Sequence, residues 1–379
     1  MDAFQDLYRP TFIDIDLGAI SHNFAQVKKL VGPTKVMAVV KANAYGHGLL
    51  ECSRHFEKLG ADYLGVALVE EGIEIRKAGV KLPILVFGGI VGGQIDQYLH
   101  YDLDLTASSL DKLQAIEQTA AKLGKKARVH LKIDTGMRRI GVRPESARAL
   151  IDAALQAQHC EVVGIFTHYA NADIPKPELT LEQLRLFKEA IGDVKSNNPK
   201  IILHAANSAG MMLGSDNYLD MVRPGLALYG ITPAPHLSGK LNLLPALSLH
   251  SQLVFFKVVR AGQGVSYGHT WHAPTDTRVV TVPIGYGDGY SRALSNKGQV
   301  LIHGKRYPIV GTICMDQMMV DIGQDSAYNG DIITIIGRDG AEEITVNEVA
   351  GLAGTISYEI FTSLNLRLPR RYSSYFATK

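Results

Sequence analysis

The chain has 379 residues, 39 Lys+Arg against 37 Asp+Glu for a formal net charge of +2, and 46% apolar against 20% charged residues. That length exceeds what one core usually serves, so two domains are expected, one of them a candidate large barrel. The balanced charge gives no reason to expect a nucleic-acid or acidic partner. Three widely spaced cysteines, Cys52, Cys160 and Cys314, with no CxxC pair, predict reduced thiols in a soluble cytoplasmic protein. No run of 18 apolar residues exists, so no membrane span is expected. Residues 1–10 carry three charges and no apolar stretch, which does not read as a signal peptide.

Residues 11–17 (TFIDIDL) alternate apolar and acidic, the period of a half-exposed strand. Residues 18–31 place Ile20, Phe24, Val27 and Leu30 on one helical face. A rhythm of apolar strand, polar turn and amphipathic helix then predicts strands at 36–41, 63–68, 84–87, 103–106, 128–133, 162–168, 201–204 and 221–229. The last is either one strand or a shorter strand plus a turn. Helices are expected between them at 109–123, 145–158 and 181–194. Eight such units in about 220 residues match a (β/α)8 TIM-type barrel. A doubly wound open sheet explains the alternation too, but eight strands favours closure.

Residues 231–245, rich in proline, glycine and leucine, read as a linker. Short strand-like runs follow at 253–259, 278–283, 299–302, 318–322 and 332–336, broken by GYGDG (285–289) and NGD (329–331). They predict a mostly antiparallel β domain with one helix at 346–352. The expected division is 1–240 for the barrel and 241–379 for the β domain, with residues 1–17 candidates to pair with the latter.

Residues 36–48 (VMAVVKANAYGHG) run as an apolar strand that stops on Lys41. Lysine is seldom buried without a partner. Lys41 therefore either snorkels to solvent or offers a low-pKa amine to a carbonyl. Barrel sites form at the carboxyl ends of the strands. That rule gathers Lys41 and Tyr45, Lys132 and Asp134 with Arg138 and Arg139 beyond, His168, His204 followed by Asn207 and Ser208, and Arg223 followed by Gly225 and Leu226. The loops after strands seven and eight are the usual phosphate position. A Schiff-base lysine facing such a rim is what bound pyridoxal 5'-phosphate requires.

Plainer roles stand beside these. Asn207-Ser208 reads equally as a helix N-cap, and His168 and His204 as satisfied core histidines. Arg138 and Arg139 read as a solvated loop, and Arg223 as half of a structural ion pair. GYGDGY lacks the strand–helix frame of a dinucleotide loop, and no HExxH or paired CxxC suggests a metal. Tyr267, in VSYG (265–268), packs its turn unless a cation lowers its pKa from about 10.

Nine blocks in order closely resemble the alanine racemases over nearly the whole chain: AVVKANAYGHG (38–48), HLKIDTGMRRIG (130–141), THYANAD (167–173), HAANSA (204–209), MVRPGLALYG (221–230), VSYGHTW (265–271), PIGYGDGYSR (283–292), GTICMDQMMVD (311–321) and TISYEI (355–360). The resemblance implies a fold-type III pyridoxal 5'-phosphate barrel with a C-terminal β domain. It also implies a head-to-tail homodimer with active sites at the subunit interface, and interconversion of L- and D-alanine by two bases, supplying D-alanine for peptidoglycan. Lys41 would hold the cofactor and act as one base. Tyr267 from the partner subunit would be the other, on the opposite face of the substrate Cα.

Arg139 would contact cofactor and substrate carboxylate, held by Lys132, a carbamylation candidate. Arg223, always a donor, would keep the pyridine nitrogen largely unprotonated, favouring racemisation over transamination. His204 would buttress Arg223, and His168 would orient the tyrosine of the other subunit. Tyr45, Ser208, Gly225, Leu226 and Tyr358 match the phosphate set, with Asn207 and His168 counted on the cofactor side. Met315, again from the partner, with Tyr286 and Asp316, would lie on the substrate side. Arg138 and Thr312 depart from the usual pattern. Rival readings are a serine or broad-specificity racemase, a decarboxylase of the same barrel type, and a cofactor-binding protein without turnover.

Overall fold

The computed structural model describes residues 8–374, so the reading of residues 1–10 lies, for residues 1–7, outside the described residues. The chain divides into two compact units. One comprises residues 19–44 and 48–244; the other comprises, of the described residues, 8–18, 45–47 and 245–374.

Strand β1 (Phe12–Asp16) belongs to the second unit. The first unit is built on β2 (Lys35–Val39), β3 (Tyr63–Val66), β4 (Ile84–Val86), β5 (Leu105–Ala107), β6 (Ala127–Lys132), β7 (Cys160–Phe166), β8 (Ile202–His204) and β9 (Met221–Val222). These eight strands are parallel, in the order β4-β3-β2-β9-β8-β7-β6-β5. The two end strands meet at a parallel bridge between Leu85 and Asp104, with Asp104 N–H donating to the Ile84 carbonyl at 2.9 Å. The sheet therefore closes into the expected barrel.

The closure follows from the residues. Val36 to Val40 are buried on both faces, which only a sheet covered on both sides allows. Helices between the strands bury one stripe each. Leu17–Val31 turns Ala19, Ile20, Phe24, Val27 and Val31 inward. Ser109 caps Leu110–Lys122 by accepting from Lys112 N–H, and Pro144 and Pro177 open their helices where a missing N–H costs nothing.

Several predicted strands end early, 63–68 at Val66 and 162–168 at Phe166 among them, and two of these shape the site. The 221–229 run keeps only Met221–Val222 as strand before a 3₁₀ turn, Leu226–Tyr229. Pro224 has no N–H for a ladder, so pairing stops at it. Strand β2 ends at Val39, and the chain then makes a left-handed turn. Ala42, Asn43, Ala44 and Tyr45 have φ of 52°, 55°, 52° and 52°. Ala44 N–H donates to the Val40 carbonyl at 2.8 Å, Leu49 N–H to Asn43 Oδ1 at 2.8 Å, and Ala42 N–H to Glu71 Oε1 at 2.6 Å. Left-handed backbone costs an L-residue about 1–2 kcal/mol. Ala42→Gly should therefore raise stability by about 0.5–1 kcal/mol, net of glycine's greater freedom when unfolded. A thermal-unfolding midpoint that stays put or falls would contradict a left-handed turn in solution.

The second unit is mostly antiparallel. Its larger sheet runs Lys305–Pro308, Gln299–Ile302, Ile332–Asp339, Leu247–Gln252, β1, Arg370–Ser373, and only the last pair is parallel. A second sheet pairs Phe255–Val259, Thr277–Val282 and Met318–Gly323. The predicted 253–259 strand thus begins only at Phe255, and Leu247–Gln252 is a separate strand with Leu247, Leu249 and Ser251 turned inward. Two helices, Val346–Ala353 and Ser357–Ser363, replace the single one expected. No helix among the described residues is long and apolar enough to cross a membrane.

Candidate functional site

In the barrel unit four basic side chains, Lys41, Lys132, Arg139 and Arg223, gather near the carboxyl ends of the strands. Lys132 is the last residue of β6, only 3% exposed, and its Nζ has no hydrogen-bond partner among the described residues. It rests 4.5 Å above the Phe166 ring. Gly141, at φ +117°, gives it room: a Cβ there would stand 2.8 Å from Lys132 Cγ. Burial, helped by Arg223 and Arg139 and opposed by Asp134, holds the Lys132 amine far below the ordinary lysine range. Lys41 opens the left-handed turn and is half-buried. Burial lowers its pKa, Arg139 lowers it further, and Glu71 opposes them.

Arg223, directly after β9, donates from Nη1 to His204 Nδ1 at 2.9 Å. Its Nη2 donates to the carbonyls of Thr167 and Ala205, both at 2.8 Å, and to His168 Nδ1 at 3.3 Å. A guanidinium has no acceptor, so His204 must take its bond on an unprotonated Nδ1 and carry hydrogen on Nε2, whereas His168 shares Nη2 with two closer carbonyls. Burial first, then Arg223, keeps both histidines well below their usual range, in accord with neutral rings. Burial pushes Arg223 itself down to about 10, which leaves it a cation at neutral pH. None of these bonds uses its Nε–H.

Asp134, to which no chemistry was assigned, organises the loop beyond β6. Its carboxylate accepts from the N–H groups of Gly136, Arg138 and Arg139 at 2.9, 3.0 and 3.1 Å. An aspartate two residues before a glycine is a recognisable signal for such a turn. Asn207 Oδ1 accepts from Gly210 N–H, the capping role, at 2.8 Å. Ser208 Oγ accepts from Gly225 and Ala227 N–H at 2.9 and 3.2 Å, so the loops after β8 and β9 meet at this hydroxyl. Glu71, also passed over in the sequence, holds the Lys41 turn and the N–H groups of Ala67 and Leu68 together.

The second unit holds the other candidates. Tyr267 is 73% exposed, in a turn whose preceding residue, Ser266, has φ 65°. Ser266 Oγ donates to the Thr312 carbonyl at 2.6 Å, and Thr312 Oγ1 donates to the Tyr267 carbonyl at 2.9 Å. Thr312, read in the sequence only as a departure, is the anchor of the Tyr267 backbone. Met315 and Tyr286 are exposed on adjoining turns, Gly287 N–H donating to the Met315 carbonyl at 2.8 Å. A Cβ at Gly285 would collide with the carbonyls of Cys314 and Met315, which explains the glycines of GYGDG as close backbone approach. Asp316 pairs with Arg367 at 2.6 Å. The rings of Tyr45 and Tyr358 lie 5.9 Å apart, and burial pushes the Tyr45 hydroxyl far up.

The barrel cluster suits an anionic ligand that carries a carbonyl. Its basic side chains outnumber the carboxylates acting on the two lysines, Asp134 and Glu71. Lys41 offers an amine whose pKa is lowered, the Arg223 Nε–H is not used by the bonds above, and the loops after β8 and β9 bring the Ser208 hydroxyl and the Gly225 backbone together. Pyridoxal 5'-phosphate, with its aldehyde, pyridine nitrogen and phosphate, fits that donor set.

Comparison with known proteins gives consistent findings. The model of "Alanine racemase, N-terminal domain" matches residues 15–233, and that of "Alanine racemase, C-terminal domain" matches residues 246–372. An alanine racemase of Symbiobacterium thermophilum is 43% identical over 97% of this chain and 98% of its own. Among solved structures, the alanine racemase of Clostridium difficile 630 superposes with a TM-score of 0.92 at 37% identity, covering 98% of this chain and 97% of that one. The alanine racemase of Bartonella henselae, described with covalently bound pyridoxal phosphate, does so at 0.87 and 30% identity, covering 96% and 99%.

Proposed function

The chain belongs to the alanine racemase family and interconverts L- and D-alanine, and from that premise we propose a pyridoxal 5'-phosphate enzyme with two bases, Lys41 and the partner's Tyr267. The observation that carries the reading is Lys41: an amine half-buried after a barrel strand, its pKa lowered by burial and by Arg139. An amine so placed is a better nucleophile for a carbonyl, and gives up its proton more readily, than an exposed lysine.

Lys41 Nζ would hold the cofactor, Arg223 Nε–H would meet its ring nitrogen, and Ser208, Gly225 and Leu226, with Tyr45 and Tyr358, would receive its phosphate. Once bound, the cofactor supplies an electron sink that acidifies the substrate Cα–H. Arg223 can give a hydrogen bond but not a proton at neutral pH, so it limits that sink and favours return of the proton to Cα. Lys41 Nζ takes or returns the proton on one face and the Tyr267 hydroxyl on the other, as inversion requires. Arg139 would hold the substrate carboxylate. Exposure of Tyr267, Tyr286 and Met315 supports a homodimer in which the partner covers them. We further propose a cytoplasmic enzyme whose D-alanine feeds peptidoglycan. Racemisation of pure L-alanine followed by optical rotation, with and without added cofactor, tests the reading, and serine and carbon dioxide release are the comparison arms. Cofactor binding without loss of rotation would refute it.

Lys132 is proposed to be carbamylated: its neutral Nζ adds to the carbon of carbon dioxide and loses a proton, giving an anion for Arg139. Removing the lysine gives two opposed effects. Lys132→Met, measured free of carbon dioxide and cofactor, should stabilise the fold by about 1–3 kcal/mol at neutral pH, since no ammonium then has to shed its water. The folded pKa lies below the unfolded value of about 10.4, so between the two the unfolded chain binds more protons. Wild-type stability should therefore rise with pH across that window more steeply than the variant's, which keeps only the contribution of groups such as Lys41. Racemisation should fall about 10–100-fold through loss of the Arg139 support. Unfolding midpoints against pH, and intact mass in bicarbonate, check both parts; a destabilised Lys132→Met would make the lysine structural.

A further inference from the structure

Arg223 is a buried cation that no carboxylate among the described residues touches, its four bonds going to imidazole nitrogens and carbonyls. A countercharge is nevertheless connected to it through the barrel interior. His204 Nε2 lies 2.9 Å from His130 Nδ1, and His130 Nε2 lies 3.3 Å from Asp104 Oδ2. His204 and His130 are fully buried, and Asp104 is 1% exposed. Asp104 follows the hydrogen-bonded closure of the barrel, opposite the arginine's end of this chain of groups.

The hydrogens along the chain have one consistent order. At one end the guanidinium only donates; at the other an ionised carboxylate only accepts. His204 accepts on Nδ1, so its hydrogen sits on Nε2 and goes to His130 Nδ1. His130 then carries its own hydrogen on Nε2 and gives it to Asp104. Both rings are neutral and both are Nε2–H tautomers. Other features hold this order in place. Asp104 also accepts from Arg128 Nε at 2.7 Å and from the Tyr63 hydroxyl at 3.0 Å. Burial alone would raise its pKa, but hydrogen bonds from His130 and Arg128 outweigh that and hold the carboxyl below its ordinary range. Phe166 stacks on His204, centroids 4.8 Å apart and planes 2° off parallel. Gly164 makes the space for the other ring, since a Cβ there would collide with His130 Nδ1.

We propose that Asp104 is a positioning residue for racemisation, fixing the tautomers of His130 and His204 so that Arg223 is held in one orientation with its countercharge at the far end of the chain. The catalytic half of this rests on the reading of Arg223 as the partner of the cofactor ring nitrogen; the tautomer half does not. Asp104→Asn keeps the shape and breaks the order. An amide nitrogen in place of Oδ1 faces the Arg128 Nε–H. In place of Oδ2 it faces the His130 Nε2–H, and reversing that ring brings two N–H groups together at His204. Tyr63→Phe, which removes a donor to Asp104 and an acceptor for Arg128 Nη2 but no atom of the histidine chain, is the control.

The experiment is nitrogen NMR of the holoenzyme labelled in histidine, with the two rings assigned through His130→Gln and His204→Gln, together with kcat and KM for alanine. Wild type should show both rings neutral and protonated on Nε2. Asp104→Asn should lose that order at His130 and drop kcat about tenfold with KM within about twofold, as expected for a supporting group. Tyr63→Phe should change neither. A wild-type His130 protonated on Nδ1, or on both nitrogens, overturns the proposal even if the variant does not fold. Unchanged tautomers in Asp104→Asn overturn it as well. Lost order with unchanged kcat overturns the catalytic half and places the fault in the Arg223 reading.

Discussion

Lys41→Ala should lower alanine racemisation at least about a thousandfold, with the fold intact. The variant removes both functions proposed for the amine, attachment of the cofactor and proton transfer on one face of Cα. Little packing is lost, because Lys41 is only half-buried and the turn after it is held by bonds from Ala42, Ala44 and Leu49. Lys41→Arg separates charge from nucleophilicity, since a guanidinium does not deprotonate, and it should fail as completely as alanine. The readouts are optical rotation and the cofactor that stays attached after borohydride reduction and denaturation. Wild type should retain it and both variants should release it. Racemisation within about tenfold of wild type in either variant would remove Lys41 from the chemistry.

The rim of the site was legible because a barrel gives position a chemical meaning. Once 36–41, 128–133, 201–204 and 221–229 read as strands, the titratable residues they carry were expected at one rim, and the structure gathers Lys41, Lys132, His204 and Arg223 there. The barrel itself was legible for a related reason, since strands buried on both faces are continuous apolar runs. What stayed hidden depends on partners distant in sequence. Residues 42–45 contain no glycine to announce a left-handed turn, and its conformation is imposed by bonds such as that from Ala42 to Glu71, 29 residues away. His130 and Asp104 sit inside strand-like runs where an interior polar residue looks like ordinary alternation, and their bonds span 26 and 74 residues. The strand Leu247–Gln252 was different: its alternating burial was present in the residues but fell in the gap between the expected linker, 231–245, and the first expected run at 253–259. Thr312 shows the reverse case, a departure from the familiar pattern that gains a meaning only from its bond to the Tyr267 carbonyl.

Tyr267→Phe should lower racemisation by about 10²–10⁴-fold while leaving stability unchanged, because the ring is exposed and the hydroxyl is the only atom lost. The two directions should suffer differently. Lys41 still serves one face of Cα, so solvent deuterium should enter one enantiomer's reaction much faster than the other's, and equal incorporation would argue against a second base at Tyr267. The decisive arm uses both variants. If each site takes Lys41 from one chain and Tyr267 from its partner, neither homodimer of Lys41→Ala or Tyr267→Phe has an intact site. A heterodimer of the two has one intact site and one lacking both bases. Random reassociation of equal amounts should therefore recover roughly a quarter of wild-type activity, half the dimers being mixed and each mixed dimer having one working site of two. If both bases came from a single chain, no mixture could assemble a complete site, and activity would stay at the level of the separate variants.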